Sequence, residues 1–344
     1  MTPRSYVYYL FLGFCLLAHT SQAQQRIGLE IDFFGYADNR EYKSIYTEDK
    51  TIFGTILSPK LFFAIDSNNR IIGGMHYNQD FGKHPENKDR LLPIAYYSFK
   101  NKNVDFALGH MPRYEKLKDV HRIVLADTFM YDRPNIEGMY FAYHNKGLKQ
   151  ALYIDWLSKQ SFSQRERFLV GLNGHYRFGS FYLKDDALLY HNALTSNDSI
   201  EEHIQDNGMV MLRLGVDLSR KTVLDSLTLE AGAVVGFDRV RSEYELQTAR
   251  GFIANLFLGY KRFFLENTLY LGDPQRLPNG DAFYHRDRYN RLDLGWVPFR
   301  KGNLEGKFTA SFHFAPDQLS NQQAFTLRYR FGTSLSKKGL PENY

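Results

Sequence analysis

The chain has 344 residues, a formal net charge of +5, 16% aromatic residues and a mean hydropathy of −0.44. So small a basic excess argues against a nucleic-acid-binding surface, which needs basic residues gathered on one face. The single cysteine, Cys15, excludes a disulfide within the chain. Abundant aromatic residues in a chain of low hydropathy are typical of a wall that is apolar on one face and wet on the other.

The first 23 residues have the composition of a secretory leader. Arg4 is followed by an apolar core over residues 7–18 and by a small-residue cleavage signal at residues 21–23. Removing Arg4 lowers the net charge from +5 to +4. Cys15 leaves with the leader, so we expect no thiolate nucleophile and no thiolate metal ligand in the mature chain.

The mature chain shows a long succession of alternating apolar and polar positions. Side chains of a membrane-spanning strand point in turn to lipid and to the lumen, which gives a period of two. The clearest apolar series is Val210, Leu212, Leu214, Val216 and Leu218, set against Met211, Arg213, Gly215 and Asp217. A soluble β-sandwich would show the same period, so the alternation alone leaves both architectures open.

The breaks between these segments alternate between short and long. The short breaks fall at residues 66–70, 100–103, 145–147, 179–180, 219–224, 261–262 and 300–303. The long breaks fall at residues 39–50, 78–90, 112–135, 158–165, 191–207, 239–249, 272–287 and 316–321. Tight periplasmic turns with longer outer loops are expected of outer-membrane barrels, so the pattern predicts an all-β, antiparallel, up-and-down transmembrane barrel of about 16 strands, with about 14 to 18 possible.

One barrel accounts for nearly the whole mature chain. We expect a leader at residues 1–23, a barrel at residues 24–332 and a short periplasmic tail at residues 333–344. With its leader, loop parity and aromatic final strand at residues 324–331, the chain resembles bacterial outer-membrane barrels of the porin type. The resemblance implies an integral outer-membrane protein in contact with lipid and lipopolysaccharide, folded by the barrel-assembly machinery and often a homotrimer.

A barrel of this width would leave an aqueous channel. We therefore expect a porin-like channel for passive diffusion of small hydrophilic solutes, and not an enzyme. The longest break, residues 112–135, carries an apolar stripe that could lie on one short helix, namely Leu117, Val120, Val124 and Leu125. This loop could fold inward as a constriction or cap the rim. Its basic candidates for a constriction are Arg113, Lys116, Lys118, His121, Arg122 and Arg133.

Charged residues on the predicted lumen face are Glu30, Asp32, Arg167, Arg177, Arg213, Asp217, Glu230, Arg291, Asp293, Lys307, Arg328 and Arg330. A modest excess of cations would give a weak preference for anions. Alternatively, these charges compensate one another, because barrel closure would place Arg328 and Arg330 beside Glu30 and Asp32. Both effects can hold together.

An outer-membrane hydrolase is the main alternative to a channel, with a serine or an Asp/His group at the outer rim. The residues that could form such a site are Asp281, His285 and Asp287 in one long loop, and Asp185, Asp186, His191 and Ser196 near another. The sequence has no nucleophile elbow and no paired histidine motif for zinc, and we expect no cofactor and no metal. A third possibility is a non-conducting barrel that serves as a scaffold, an adhesin or part of a secretion or uptake assembly.

Overall fold

The computed structural model describes residues 27–43, 46–82, 89–197, 199, 201–316 and 318–332. These residues form sixteen antiparallel strands in a closed barrel, in which β1 pairs with β16. The predicted fold class and strand number are confirmed. The predicted leader and tail lie outside the described residues.

The strands are β1 (Ile27–Glu41), β2 (Lys50–Ala64), β3 (Asn69–Asp80), β4 (Arg90–Lys100), β5 (Val104–Pro112), β6 (Asn135–Asn145), β7 (Leu148–Ser158), β8 (Arg167–Phe178), β9 (Phe181–Asn192), β10 (Gln205–Asp217), β11 (Ser226–Val240), β12 (Gln247–Tyr260), β13 (Phe263–Gly272), β14 (Arg288–Lys301), β15 (Leu304–Ala315) and β16 (Gln318–Gly332). Most connections alternate between short and long, so the barrel has two unlike ends. We call them the short-turn end, where β2 meets β3, and the long-loop end, where β1 meets β2. The long break predicted at residues 316–321 is wrong, because β15 ends at Ala315 and β16 already begins at Gln318.

The outer and inner faces follow the alternation of the sequence. In β10, Val210, Leu212 and Leu214 are half exposed on the outside, whereas Met211 and Arg213 are buried on the inside. An apolar outer surface with polar groups within is the arrangement that a strand needs when one face meets lipid.

Two long connections fold into the lumen. Inner loop A (residues 113–134) contains the short helices α1 (Arg113–Leu117) and α2 (Asp127–Asp132). Its Tyr131 ring stacks on Tyr36 of β1 with 4.7 Å between centroids, and Asn78 of β3 donates a hydrogen bond to the Tyr131 carbonyl. Inner loop A therefore lies inside the barrel, and the rim-cap alternative is not what the structure shows.

Inner loop B (residues 273–287) lies against inner loop A and contains a single 3-10 turn, Ala282–His285. The Ala126 amide donates to the Asn279 carbonyl at 2.8 Å, and the Asp281 amide donates to the Arg122 carbonyl at 2.9 Å. The Phe283 ring stacks on His313 of the barrel wall, with 4.3 Å between centroids.

Apolar side chains fill the region around these loops. Leu117, Val124 and Leu125 are buried in one cluster with inward-facing wall residues such as Tyr153 and Met209. The expected stripe is thus buried, but it is spread over α1 and the stretch after it and does not lie on one helix. Side chains fill this part of the lumen, whereas the width of the barrel led us to expect an aqueous channel. No helix among the described residues is long and apolar enough to cross a membrane.

Candidate functional site

Inner loop A and the barrel wall enclose a cavity of about 760 Å³, whose lining reaches Lys100 and Glu305 beside the short turns. Four of the six basic residues expected at a constriction line this cavity, namely Lys116, Lys118, His121 and Arg122. Burial, together with the nearby guanidinium groups of Arg213 and Arg122, lowers the pKa of His121 well below its usual range. His121 is therefore neutral at pH 7 and adds no positive charge to the cavity.

The other two candidates do not face the cavity. Arg113 is completely buried, donates to the Arg133 and Asn135 carbonyls, and pairs with Asp155 at 2.6 Å. Arg133 donates to the Leu157 carbonyl and lies 3.8 Å from Glu137. The prediction that Arg113 faces the channel is wrong, because its guanidinium ties the two ends of inner loop A together.

The basic residues that do line the cavity are largely neutralised. The Lys116 ammonium donates to Asp105 at 2.8 Å, and the Arg122 guanidinium lies 3.3 Å from Asp293. Such compensation lowers the cost of holding charges inside a protein. It also weakens the argument for anion preference.

Eight of the predicted lumen charges line the cavity, namely Asp32, Arg213, Glu230, Arg291, Asp293, Lys307, Arg328 and Arg330. Barrel closure brings Asp32 opposite Arg330, and the carboxylate lies 3.0 Å from Arg330 and 3.4 Å from Arg328. The first and last strands thus meet through opposite charges.

The remaining four predicted lumen charges lie away from this cavity. Glu30 lies 3.4 Å from the Lys60 ammonium, and Arg177 pairs with Asp217 at 2.7 Å near the short-turn end. Arg167 donates to the Ser158 hydroxyl near the long-loop end.

The residues expected to form a hydrolytic site at the rim have other partners. Asp186 binds Arg213 at 2.7 Å, and His191 binds Asp206 at 2.7 Å. Asp281 accepts a hydrogen bond from the Phe283 amide and begins the 3-10 turn of inner loop B. Among the residues that the structure describes, no group of three or more His, Cys, Asp or Glu side chains is arranged to hold a metal ion.

A different set of residues forms a serine–histidine–amide chain on the inner wall. The Ser58 hydroxyl lies 2.7 Å from His76 Nδ1, and His76 Nε2 lies 2.9 Å from Asn135 Oδ1. All three side chains are at most 5% exposed. Ser58 and His76 also line the cavity, so the hydroxyl borders a space that a substrate can occupy.

The hydrogen bonds around Asn135 determine the roles of the two imidazole nitrogens. Asn135 Nδ2 donates to the Pro93 carbonyl at 2.7 Å, which leaves Oδ1 to face His76. Because Oδ1 can only accept, His76 Nε2 carries the proton, and in a neutral imidazole Nδ1 then accepts from the Ser58 hydroxyl. A hydroxyl, an imidazole and an amide linked in this order have the chemistry needed for a nucleophile, a base and a group that orients the base.

The sequence-based hydrolase alternative places its residues at the outer rim and therefore does not include Ser58, His76 or Asn135. Ser58 and His76 lie on the inner faces of the adjacent strands β2 and β3. In this hairpin Leu57 is paired with Tyr77, so the numbers of paired residues sum to 134 and the hairpin is centred on residue 67. The break expected at residues 66–70 is centred one residue too late, which would place Ser58 opposite Asn78. A hairpin centred on residue 67 would have brought the serine and the histidine together.

Structural comparison supports the barrel. A loop L8 deletion mutant of OmpT, an outer-membrane protein of Vibrio cholerae, superposes with a TM-score of 0.54 at 8% identity, covering 89% of this chain and 99% of that one. An anion-selective porin from Comamonas acidovorans gives 0.52 at 10% identity, covering 89% and 98%. At such low identity these similarities establish the fold alone. No functionally curated protein matches the sequence significantly.

The family comparison favours an enzyme over a passive channel. Residues 19–338 match the model of the lipid A 3'-O-deacylase-type family. The chain belongs to this family. Because the family is named for an enzyme, the expectation that the protein is not an enzyme is wrong. Loop parity and alternation suggested a channel. These features indicate the barrel fold, and they carry no information about the chemistry inside the barrel.

Proposed function

We propose that this deacylase-type barrel is an outer-membrane ester hydrolase that removes an acyl chain from a lipid, with lipid A as the substrate that its family name indicates. The observation that carries the proposal is the hydrogen-bonded chain from Ser58 through His76 to Asn135 on the cavity wall. The packed apolar cluster around the inner loops weighs against an open channel as the main activity. Location in the outer membrane is part of the proposal and is supported by the closed barrel.

The proposed reaction has two steps. Ser58 Oγ attacks the ester carbonyl while His76 Nδ1 accepts the hydroxyl proton, and His76 then returns that proton to the departing alcohol oxygen. The acyl group is left as an ester of Ser58. Water, deprotonated by His76, then attacks this acyl-serine, releases the fatty acid and restores the Ser58 hydroxyl. Asn135 holds the imidazole in the tautomer that both steps require.

Mass spectrometry of purified lipid A incubated with the refolded mature protein tests the proposal. We expect loss of one acyl chain, and we expect Ser58→Ala to lower the rate at least about a thousand-fold, because nucleophile removal abolishes the covalent route. Ser311→Ala is the matched control, since Ser311 also lines the cavity but bonds Arg291.

Covalent labelling gives a second readout. A fluorophosphonate should form a phosphonyl ester with Ser58, release fluoride and leave Ser311 unmodified. Intact lipid A and an unlabelled Ser58 in a correctly folded barrel would contradict the proposed function. Binding to lipopolysaccharide, folding by the barrel-assembly machinery and a homotrimeric state stay predictions.

A further inference from the structure

The barrel wall is not paired along its whole height. Strands β4 and β5 pair only from Ala95 with His110 to Lys100 with Asp105. On its other side, β4 pairs with β3 up to Arg90. The part of β4 at residues 90–94, in the long-loop half of the barrel, therefore has a strand on one side only. We call the space between residues 90–94 and β5 the unpaired interval.

Gly109 lies at the end of this pairing, one residue before His110, the last residue of β5 that pairs with β4. The φ of Gly109 is +126°, a conformation that side chains with a Cβ rarely adopt. A Cβ on Gly109 would also lie 2.3 Å from the Ala95 carbonyl oxygen. After His110, its last residue paired with β4, β5 continues beside β6 to Pro112, and α1 then begins inside the barrel at Arg113.

Side chains, and not a backbone ladder, bridge the unpaired interval. Asn135 donates to the Pro93 carbonyl, and Arg90 donates to the Asp132 carbonyl at 3.0 Å. Proline has no N–H to donate, which suits a strand edge without a partner. A few side-chain hydrogen bonds can open at far lower cost than a continuous strand ladder, because each contributes only about 1 kcal/mol.

The unpaired interval joins lipid to the serine–histidine–amide chain. Leu91, on the outer surface of the interval, is 64% exposed, and Leu108, paired with Tyr97 nearby, is 53% exposed. On the inner side, Ile94 packs with other apolar residues of β2 and β3. Asn135 forms hydrogen bonds with both the Pro93 carbonyl at the interval and His76 at the site. A single side chain therefore lies between the unpaired interval and the serine–histidine pair.

We propose that the unpaired interval between β4 and β5 is a side entrance, through which the acyl chain of a membrane lipid passes from the bilayer to Ser58. The inference rests on the proposed hydrolase, for which it names the route of the substrate. A lipid that uses this route enters the barrel directly from the bilayer, so its acyl chain does not cross bulk water on the way to the wall. A small water-soluble ester would instead reach Ser58 through the cavity.

The experiment bridges the unpaired interval in the full mature chain, which has no cysteine after leader removal. Leu91→Cys and His110→Cys are joined by a bismaleimide. The matched control joins Val210→Cys to Val235→Cys across β10 and β11, which are fully paired there. The barrel is placed in phosphatidylcholine vesicles in which a fraction of the lipid carries a diazirine on its acyl chain, and adducts are located by fragmentation.

We expect adducts on the inward-facing Leu92 and Ile94, and we expect the Leu91–His110 bridge, but not the control bridge, to remove them. Absence of inward adducts, or adducts that persist behind the bridge, would overturn the side entrance. Hydrolysis distinguishes this result from failure of the proposed function. The bridge should slow release of acyl chains from lipid A and leave hydrolysis of p-nitrophenyl acetate unchanged. If no variant hydrolyses either ester, the hydrolase is refuted and the adducts alone decide the entrance.

Discussion

Arg113 and Asp155 form a salt bridge of 2.6 Å in which both side chains are completely buried. Arg113 begins inner loop A, and its guanidinium also donates to the carbonyls of Arg133 and Asn135 where that loop ends. It further lies over the Phe129 ring, 4.6 Å from the centroid. One side chain thus closes the base of the loop and positions Asn135, which orients His76.

Arg113→Gln should destabilise the barrel strongly, because it leaves the Asp155 carboxylate buried without a cation. We expect a loss of about 3–5 kcal/mol in the free energy of unfolding, measured by urea titration in phospholipid vesicles. Arg177→Gln breaks the half-exposed pair with Asp217 and should cost less than about 1 kcal/mol. Equal effects of the two variants would contradict the structural role given to Arg113.

Gly109→Ala should destabilise the protein by more than about 1 kcal/mol, since alanine resists a positive φ. Its Cβ would also collide with the Ala95 carbonyl. Gly73→Ala is the control, because a Cβ there meets no atom within 4 Å; it should change stability by no more than about 0.5 kcal/mol. The same urea titration measures both variants. If Gly109→Ala proves neutral, neither the positive φ of Gly109 nor its close approach to the Ala95 carbonyl constrains this end of β5.

The barrel itself could be predicted because its constraints are local. A period of two assigns each side chain to one face, and closure then sets Asp32 opposite Arg330 without any knowledge of distant packing. The buried stripe at Leu117, Val124 and Leu125 also indicated that inner loop A needs something to pack against. The inward fold of inner loop B was harder to predict from the sequence. Phe283 and Tyr284 stand among polar residues there and match neither a strand nor a helix pattern.

The candidate site could be predicted only in part. Ser58 and His76 face each other through hairpin register, which a more accurate turn position would have given. Asn135 could not be placed, because it reaches His76 from β6, across the positions of β4 and β5. The contact forms where the pairing of β4 with β5 has ended after His110, and the sequence around Asn135 does not indicate this.

Glu115 should make the barrel sensitive to acid. Burial alone would raise its pKa, but the Lys60 ammonium, 2.6 Å away, and Arg330 outweigh burial and lower the pKa from 4.5 to about 2. A carboxylate with a lowered pKa stabilises the folded state above the unfolded value of 4.5, and this contribution is lost as the pH falls towards 2.

The variants Glu115→Gln and Lys60→Met test this origin. The stability difference between the native protein and Glu115→Gln, obtained from urea titrations at several pH values, should shrink on acidification through this range. In a Lys60→Met background this stability difference should depend less on pH, because the main cation that lowers the pKa of Glu115 is gone. A difference that is constant with pH would show that Glu115 is not held ionised by Lys60.

Two variants of Asn135 distinguish a role in orienting His76 from a role in holding the barrel wall together. Asn135→Ala removes both the hydrogen bond to His76 and the one to Pro93, and misorientation of the base should lower kcat about 100-fold or more. Asn135→Asp keeps an oxygen that accepts from His76 Nε2 but loses the donor to the Pro93 carbonyl. We therefore expect the aspartate to restore most of kcat towards p-nitrophenyl acetate, which needs no bilayer route. If the alanine and aspartate variants remain folded and lose kcat equally, the hydrogen bond from Asn135 to the Pro93 carbonyl is what matters, and Asn135 does not position the imidazole.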